Sequence, residues 1–426
     1  MLTENVNIKM IKVFKFGGTS IKDAISIKKI TSILKDYSSD DLVIVFSAIG
    51  KVTNMLEDLV EEYMSKNIST ELKLQSLKDF HTSLMHELFD HDHSVFDEIN
   101  NFFVEIEWIV EEKPNPDYDF NYDQIVSIGE LISTKIMSTY LNDNGFINNW
   151  LDIRDIIRTD NKYRNARIDW KKTESFCQQK ITTFPIVTQG FIGCTSENFS
   201  TTLGREGSDF TAAILAYSLD AEQVIIWKDV DGVLNADPRF FKETKQLMSI
   251  PFGEAIELAY YGAKVIHPRT IQPLQRKSIP LEVKSFQNID NASTVIGDFK
   301  DIIPFTPSFI VKEDQILISI SDKNLSFIVE EHLSSIFLLF SKFDTRVNMM
   351  QNSAVSFSFC VDYDKHKVNA LLMELRNNFN VHFNKKLTMY TIRHYDDDSI
   401  SELLKDKVLL LEQKSRHTVH LVVKES

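Results

Sequence analysis

The chain has 426 residues, more than one hydrophobic core usually organises, so two or three domains are expected. It is acidic, with 47 Lys and Arg against 61 Asp and Glu and a formal net charge of -14. That balance argues against general affinity for nucleic acid or an anionic membrane, so any phosphate must be held locally. Three cysteines, Cys177, Cys194 and Cys360, are too few and too scattered for a disulfide framework or a zinc site, which fits a reducing compartment. The opening "MLTENVNIKMIKVFKF" holds no apolar stretch of signal-peptide length, and no later segment reaches membrane-span length. A cytoplasmic, soluble protein is expected.

Up to Phe299 strands and helices alternate, which predicts an α/β fold, a mainly parallel sheet covered by helices on both faces. "IKVFKF" is a β-rich run ending at Gly17, and a helix is expected after Ser20. "DLVIVFSAIG" reads as a second, fully buried strand because its apolar run is continuous. Residues 54–112 read as helical. A Pro-rich break, "EEKPNPDYDFNYD", then precedes the helix "QIVSIGELISTKIMSTYLNDNG", closed by Gly145. Further strands are expected in "FINNWLDI", "FPIVTQGFIG", "AEQVIIW" and "IPLEVKSF". Residues 1–299 form the first domain on this pattern, and the prolines of 300–310 a linker. Two small α+β modules follow over 311–385 and 386–426, the first in the order βαββα and the second shortened enough to intermix with it.

Four stretches carry chemistry. In "KFGGTS", Gly17 and Gly18 let backbone N–H groups approach an anion, and Lys15 adds a point charge. The standard phosphate loop is absent, since Val45 and Val52 stand where Gly50-Lys51 would need a glycine and a Ser or Thr. In "GREGSDFTAAILAYSLDA", Ser208 is placed to cap a helix with Asp209 in its first turn. "KDVDGVLNADPR" tempts with a calcium loop, but Leu234 and Phe240 fall where glycine and glutamate are needed; a hairpin at Asp231-Gly232 is the structural alternative. In "GAKVIHPRT", His267 reads as a structural histidine and Lys264 as the better functional candidate.

Taken together and in order, "KFGGTS", "SIGELIST", "GREGSD", "KDVDGVLNADPR" and "GAKVIHP", followed by small α+β modules, resemble the aspartate kinases of the amino-acid kinase superfamily. The resemblance implies transfer of the ATP γ-phosphoryl, with Mg²⁺ arriving as the ATP complex and no metal held by the protein alone. The acceptor is the side-chain carboxylate of L-aspartate, giving 4-phospho-L-aspartate on the route to lysine, threonine and methionine. It makes Lys15 and Asp209 the catalytic pair. Ser47, Thr53, Glu130, Arg205 and Ser208 contact the amino acid, with Arg205 gripping a carboxylate and Glu130 the α-ammonium. Lys15, Gly17, Gly18, Lys228, Asp229, Leu234, Arg239, Lys264 and Val265 contact the nucleotide.

The C-terminal modules resemble paired ACT domains, which bind amino-acid effectors and build dimers. A homodimer inhibited by lysine or threonine is thus implied, with Asn348 and Ser353 of "RVNMMQNSAVS" as effector contacts. No nucleic-acid or membrane partner is expected, nor, with the sequence ending at Ser426, the homoserine dehydrogenase domain fused to some relatives. Three positions depart from the family pattern, which often has glycine, threonine and tyrosine where Glu206, Lys228 and Leu234 stand. Glu206 is expected to turn away from the phosphates, toward Arg205. A related kinase acting on another acid and a catalytically silent amino-acid sensor are the competing readings; Lys15, Arg205 and Asp209 count against the sensor.

Overall fold

A computed structural model describes residues 10–67, 69–263, 266–324 and 326–425. Two compact units form: Met1–Val233 with Met248–Ile256 and Val265–Ile302, and Leu234–Leu247 with Glu257–Lys264 and Ile303–Ser426.

In the first unit the strands are β1 (Ile11–Phe16), β2 (Asp41–Phe46), β3 (Asn149–Leu151), β4 (Ile186–Gln189), β5 (Ile192–Cys194), β6 (Ser200–Thr202) and β7 (Gln223–Lys228). β8 (Val233–Leu234) and β9 (Gln246–Leu247) form a separate small pair that, but for Val233, falls in the second unit, and β10 (Ser249–Pro251), β11 (Leu281–Ser285) and β12 (Thr294–Gly297) complete the first. Eight of them make one sheet in the order β10-β12-β11-β7-β1-β2-β4-β3, parallel except between β11 and β12. β1 and β2 lie near its centre. Their apolar runs are buried almost throughout, because helices cover both faces and no side is left for water. Phe16 stacks between Phe46 and Trp227 with ring centroids 5.3 and 5.7 Å away, tying three adjacent strands together just below the end where β1 stops.

The helices are α1 (Ala24–Lys35), α2 (Val52–Met64), α3 (Ser69–Leu88), α4 (Val95–Glu111), α5 (Tyr118–Asp143), α6 (Trp170–Lys180), α7 (Gly207–Ser218), α8 (Phe252–Tyr261) and α9 (Pro268–Arg276). The helix expected directly after Ser20 starts later. A single 3₁₀ turn, Gly18–Ile21, intervenes, and Asp23 fixes the true start by accepting from Ser26 N at 2.8 Å. α5 starts earlier than its pattern indicates, because Asp117 caps it through Asp119 N and Phe120 N; the break is confined to residues 112–117. It ends before Gly145, whose φ of +84° only glycine adopts without strain. No hairpin closes at Asp231-Gly232, since β8 pairs with β9 from Gln246 onward. His267 is structural as expected, its ring accepting from Arg269 N at the start of α9.

The second unit carries β13 (Ser308–Asp322), α10 (Glu330–Lys342), β14 (Val347–Asn352), β15 (Ser356–Asp362), α11 (Lys365–Asn378), β16 (Phe379–Arg393), α12 (Asp397–Leu403), β17 (Lys407–Lys414) and β18 (Thr418–Glu425). Its six strands form one antiparallel sheet in the order β14-β15-β13-β16-β18-β17. The expected βαββα order holds, but the joins at 310/311 and 385/386 fall inside β13 and β16. These two strands pair along their length, shifting register between Lys312 and Leu317 where Asp314 and Lys386 take left-handed backbone. Beyond the bend Ile316, Ile318 and Ile320 pack with α10 and α11; before it Tyr390 and Ile392 pack with α12 and β18.

Candidate active site

Lys15 is the next-to-last residue of β1, only 9% exposed, so its ammonium emerges where the central strand ends. Gly17 and Gly18 form the turn after it, Ser20 N closing onto Gly17 O at 2.9 Å. A β carbon on Gly18 would stand 2.7 Å from Ala48 O and 2.9 Å from Gly50 O; the loops after β1 and β2 pack with no room for a side chain. On the neighbouring strand β7, Lys228 ends at the same level. α7 points its first turn there, with Asp209 3% exposed.

Asp209 is the hub. Its Oδ1 lies 2.6 Å from Lys15 Nζ and its Oδ2 3.5 Å from Lys228 Nζ, an ion pair with each. Burial would raise its carboxyl, but the two ammonium groups outweigh burial and hold it below the usual carboxylate range. Lys228, where a threonine is common in the family, therefore gives this chain a second cation on the same carboxylate. Ser208 does not cap α7. The N-cap is Glu206, and Ser208 is instead pressed against Gly190, where a β carbon would lie 2.5 Å from its own Cβ.

A cavity of about 510 Å³ opens on this hub. It is lined by Lys15, Ser47, Thr53, Glu130, Arg205, Ser208, Asp209 and Lys228, so one space gathers both expected catalytic residues and every expected amino-acid contact. Glu130, inside α5, is 2% exposed and its Oε2 has no hydrogen-bond partner. Burial pushes its carboxyl up to about 8, against the pull of Lys15 and a backbone hydrogen bond from Ala48. Glu206 does not turn to Arg205: no ion pair joins them among the described residues, and its Oε2 is buried unpartnered within the cavity lining.

The remaining nucleotide candidates are not gathered there. Gly17 and Gly18 shape the turn without lining the cavity, and Asp229 is exposed beyond the end of β7. Leu234, partly buried in β8, and Arg239, exposed with its guanidinium on the Asp237 carboxylate, belong to the second unit. Lys264 and Val265 lie outside the described residues. In the second unit Asn348 is engaged on both amide atoms, donating to Gln315 Oε1 (2.8 Å) and Asp362 Oδ1 (2.9 Å) and accepting from Lys312 Nζ (2.8 Å). Ser353 closes the turn between β14 and β15, its Oγ accepting from Ser356 N at 3.1 Å.

Four side chains that line the cavity, Tyr122, Arg164, Phe191 and Thr202, escaped the sequence reading. Arg164 (φ 60°) and Phe191 (φ 74°) take left-handed backbone that no local pattern announces. Arg164 stacks on Tyr122 at 4.3 Å and reaches Glu57 Oε1 at 3.3 Å. Beneath it buried Asp123 accepts from Arg164 N, Thr202 N and Thr202 Oγ1, and burial raises its carboxyl to about 6. The signal available was an acid four residues before the start of "SIGELIST".

Among the described residues no group of three or more His, Cys, Asp or Glu could hold a metal ion, and no helix is long and apolar enough to cross a membrane. The model of the amino acid kinase family matches residues 10–285. A bifunctional aspartokinase/homoserine dehydrogenase 2 of Arabidopsis thaliana is 30% identical over 87% of this chain, which spans only 42% of that relative's length. The lysine-sensitive aspartokinase 3 of Escherichia coli is 29% identical over 86% of this chain and 83% of its own. Crystal structures of E. coli aspartokinase III, one with lysine and aspartate and one with aspartate and ADP, superpose with TM-scores of 0.80 and 0.81. Each is 26% identical and covers 97% of this chain and 96% of its own. The chain belongs to the amino acid kinase family, and its likeness along nearly the whole length is to the aspartokinases of that family.

Proposed function

We propose that the protein is an aspartate kinase, using MgATP to phosphorylate the side-chain carboxylate of L-aspartate. One observation carries this reading: a single cavity holds Lys15 and Lys228 on Asp209, an arginine, and a buried glutamate with a free acceptor oxygen. Those are the groups that an amino-acid acceptor and a phosphate donor require. The neighbours solved with aspartate and ADP support it.

An acceptor carboxylate with a pKa near ~4 is ionised at neutral pH, so no general base is needed. The work is to bring two anions together. Lys15, fixed on Asp209, screens the γ-phosphate from the incoming carboxylate, and Lys228 adds charge beside it. Arg205 takes the α-carboxylate and Glu130 the α-ammonium, with Ser47, Thr53 and Ser208 completing the acceptor side. A β-carboxylate oxygen bonds to the γ-phosphorus while the bond to the β-phosphate oxygen breaks. ADP departs, and an acyl phosphate remains. Magnesium, carried by the nucleotide, would neutralise phosphate charge. Gly17, Gly18, Asp229, Leu234, Arg239, Lys264 and Val265 are proposed for the nucleotide.

The second unit is proposed to bind a lysine or threonine effector through Asn348 and Ser353 and to build a homodimer, in a cytoplasmic enzyme. The test is a coupled hydroxamate assay with MgATP and a panel of acids. Aspartyl hydroxamate supports the reading, product from another acid only reassigns the acceptor, and no product with any acid favours an amino-acid sensor.

A further inference from the structure

Glu206 is placed where an acid has three ordinary uses, and it serves none of them. It is the N-cap of α7, yet no side-chain hydrogen bond caps the helix. It follows Arg205 directly, yet among the described residues the two form no ion pair. It lines a cavity, yet its Oε2 is withdrawn from water without a hydrogen-bond partner. The backbone there is left-handed (φ 54°, ψ 30°), a conformation that favours glycine and disfavours any side chain with a β carbon. A strained backbone presenting a buried, unmatched carboxylate oxygen marks a group kept for a ligand.

Glu130, on α5, shares the open oxygen. It is 2% exposed, its Oε2 is likewise unpartnered, and it lines the same cavity. The third acid there, Asp209, is already matched by Lys15 and Lys228. The cavity thus has a cationic end at the close of β1 and β7 and two carboxylates with an acceptor to spare.

Resting on the aspartate kinase reading, we propose that Glu206 is a specificity-determining residue that joins Glu130 in accepting the α-ammonium of the amino-acid acceptor. An ammonium offers three N–H donors, so two carboxylates can share it. Magnesium is the poorer match for this pair, because it keeps several of its waters and would be held mainly by the nucleotide phosphates. An acid with the same carboxylates but no amine leaves both glutamates unpaired and is rejected for that reason.

The test is calorimetric binding of L-aspartate and of succinate to the wild-type protein, Glu206→Gln and Glu206→Gly, with thermal melts to verify folding and a Mg²⁺ titration of turnover. Both variants are expected to bind L-aspartate about tenfold more weakly or worse, with succinate binding unchanged or tighter, the loss expected for one hydrogen bond to a charged group. Glycine relieves the backbone yet removes the carboxylate, so equal loss in both variants assigns the effect to charge. An unchanged aspartate-to-succinate ratio in folded variants overturns the proposal, as does a shift confined to the Mg²⁺ requirement. Wild-type protein that turns over aspartate with such variants sinks only this inference; wild-type protein that neither binds nor turns over aspartate sinks the kinase reading with it.

Discussion

The two units treat their polar groups in opposite ways. In the cavity of the first, Glu130 and Glu206 each keep a buried oxygen without a partner, and Arg205 stands exposed beside them. In the sheet of the second, Asn348 is bonded to Gln315, Asp362 and Lys312, and Ser353 to the turn it closes. A buried acceptor left open is costly, roughly 1–3 kcal/mol, and a ligand cation that meets it recovers that cost. The first site is therefore built to gain by binding. The second set is already satisfied, so the effector proposed to bind there would have to replace internal hydrogen bonds.

The contrast can be broken most forcefully at Lys15. Lys15→Ala should lower kcat about 10³-fold in the hydroxamate assay, the scale of removing a charged donor from a developing transition state. Lys228 remains 3.5 Å from Asp209 and limits the damage to the fold, which a thermal melt checks. Near-normal turnover would show that the cavity's charges serve no reaction. Next, the KM for aspartate should fall as pH rises through about 8, where the free Glu130 loses its proton and becomes a full partner for an ammonium. Glu130→Gln should raise KM about tenfold and flatten that pH dependence; a slope kept in the variant would assign it to another group.

Smaller effects sharpen the second half of the comparison. Asn348→Ala should weaken inhibition by lysine or threonine roughly tenfold in the same assay, with kcat within about twofold, because it removes a hydrogen-bonding side chain from the satisfied sheet. Inhibition that persists at full strength would place the effector elsewhere. His81 gives the limit of the reasoning. Its Nε2 is also buried without a partner, but it is packed between Phe80 and Phe103, Nδ1 is spent on Leu77 O at 2.8 Å, and it lines neither candidate site. Burial lowers its pKa to about 4, so the unfolded chain takes up a proton first as pH falls. Stability from this group is whole above about 6.5 and is lost on the way down to about 4. His81→Leu should remove that acid sensitivity by a few degrees of Tm between pH 7 and 5, without altering turnover; an unchanged acid slope would show that another group titrates.

Much of this was legible in the sequence, and for definite reasons. β1, β2 and β7 announce themselves because strands buried on both faces must be continuously apolar. Lys15, Glu130, Arg205 and Asp209 come from four distant stretches, and only the resemblance of those stretches taken together joined them in one cavity. What stayed hidden depends on backbone that side chains do not encode. Arg164, Phe191 and Glu206 are left-handed without being glycine. Asp23 outcompetes Ser20 for the helix start because its carboxylate reaches Ser26 N. The prolines of 300–310 read as a linker that ends before the first module, whereas β13 starts at Ser308 inside it and runs on through a shift in register near Asp314.

The most direct measurement is a crystal structure with L-aspartate and a non-hydrolysable ATP analogue bound together. Lys15 Nζ should lie within hydrogen-bond reach of both the terminal phosphate and the aspartate β-carboxylate, with the amine of aspartate turned to Glu130. Lys15 still locked on Asp209 and apart from both ligands, or aspartate bound outside this cavity, would contradict the assignment of this site to phosphoryl transfer.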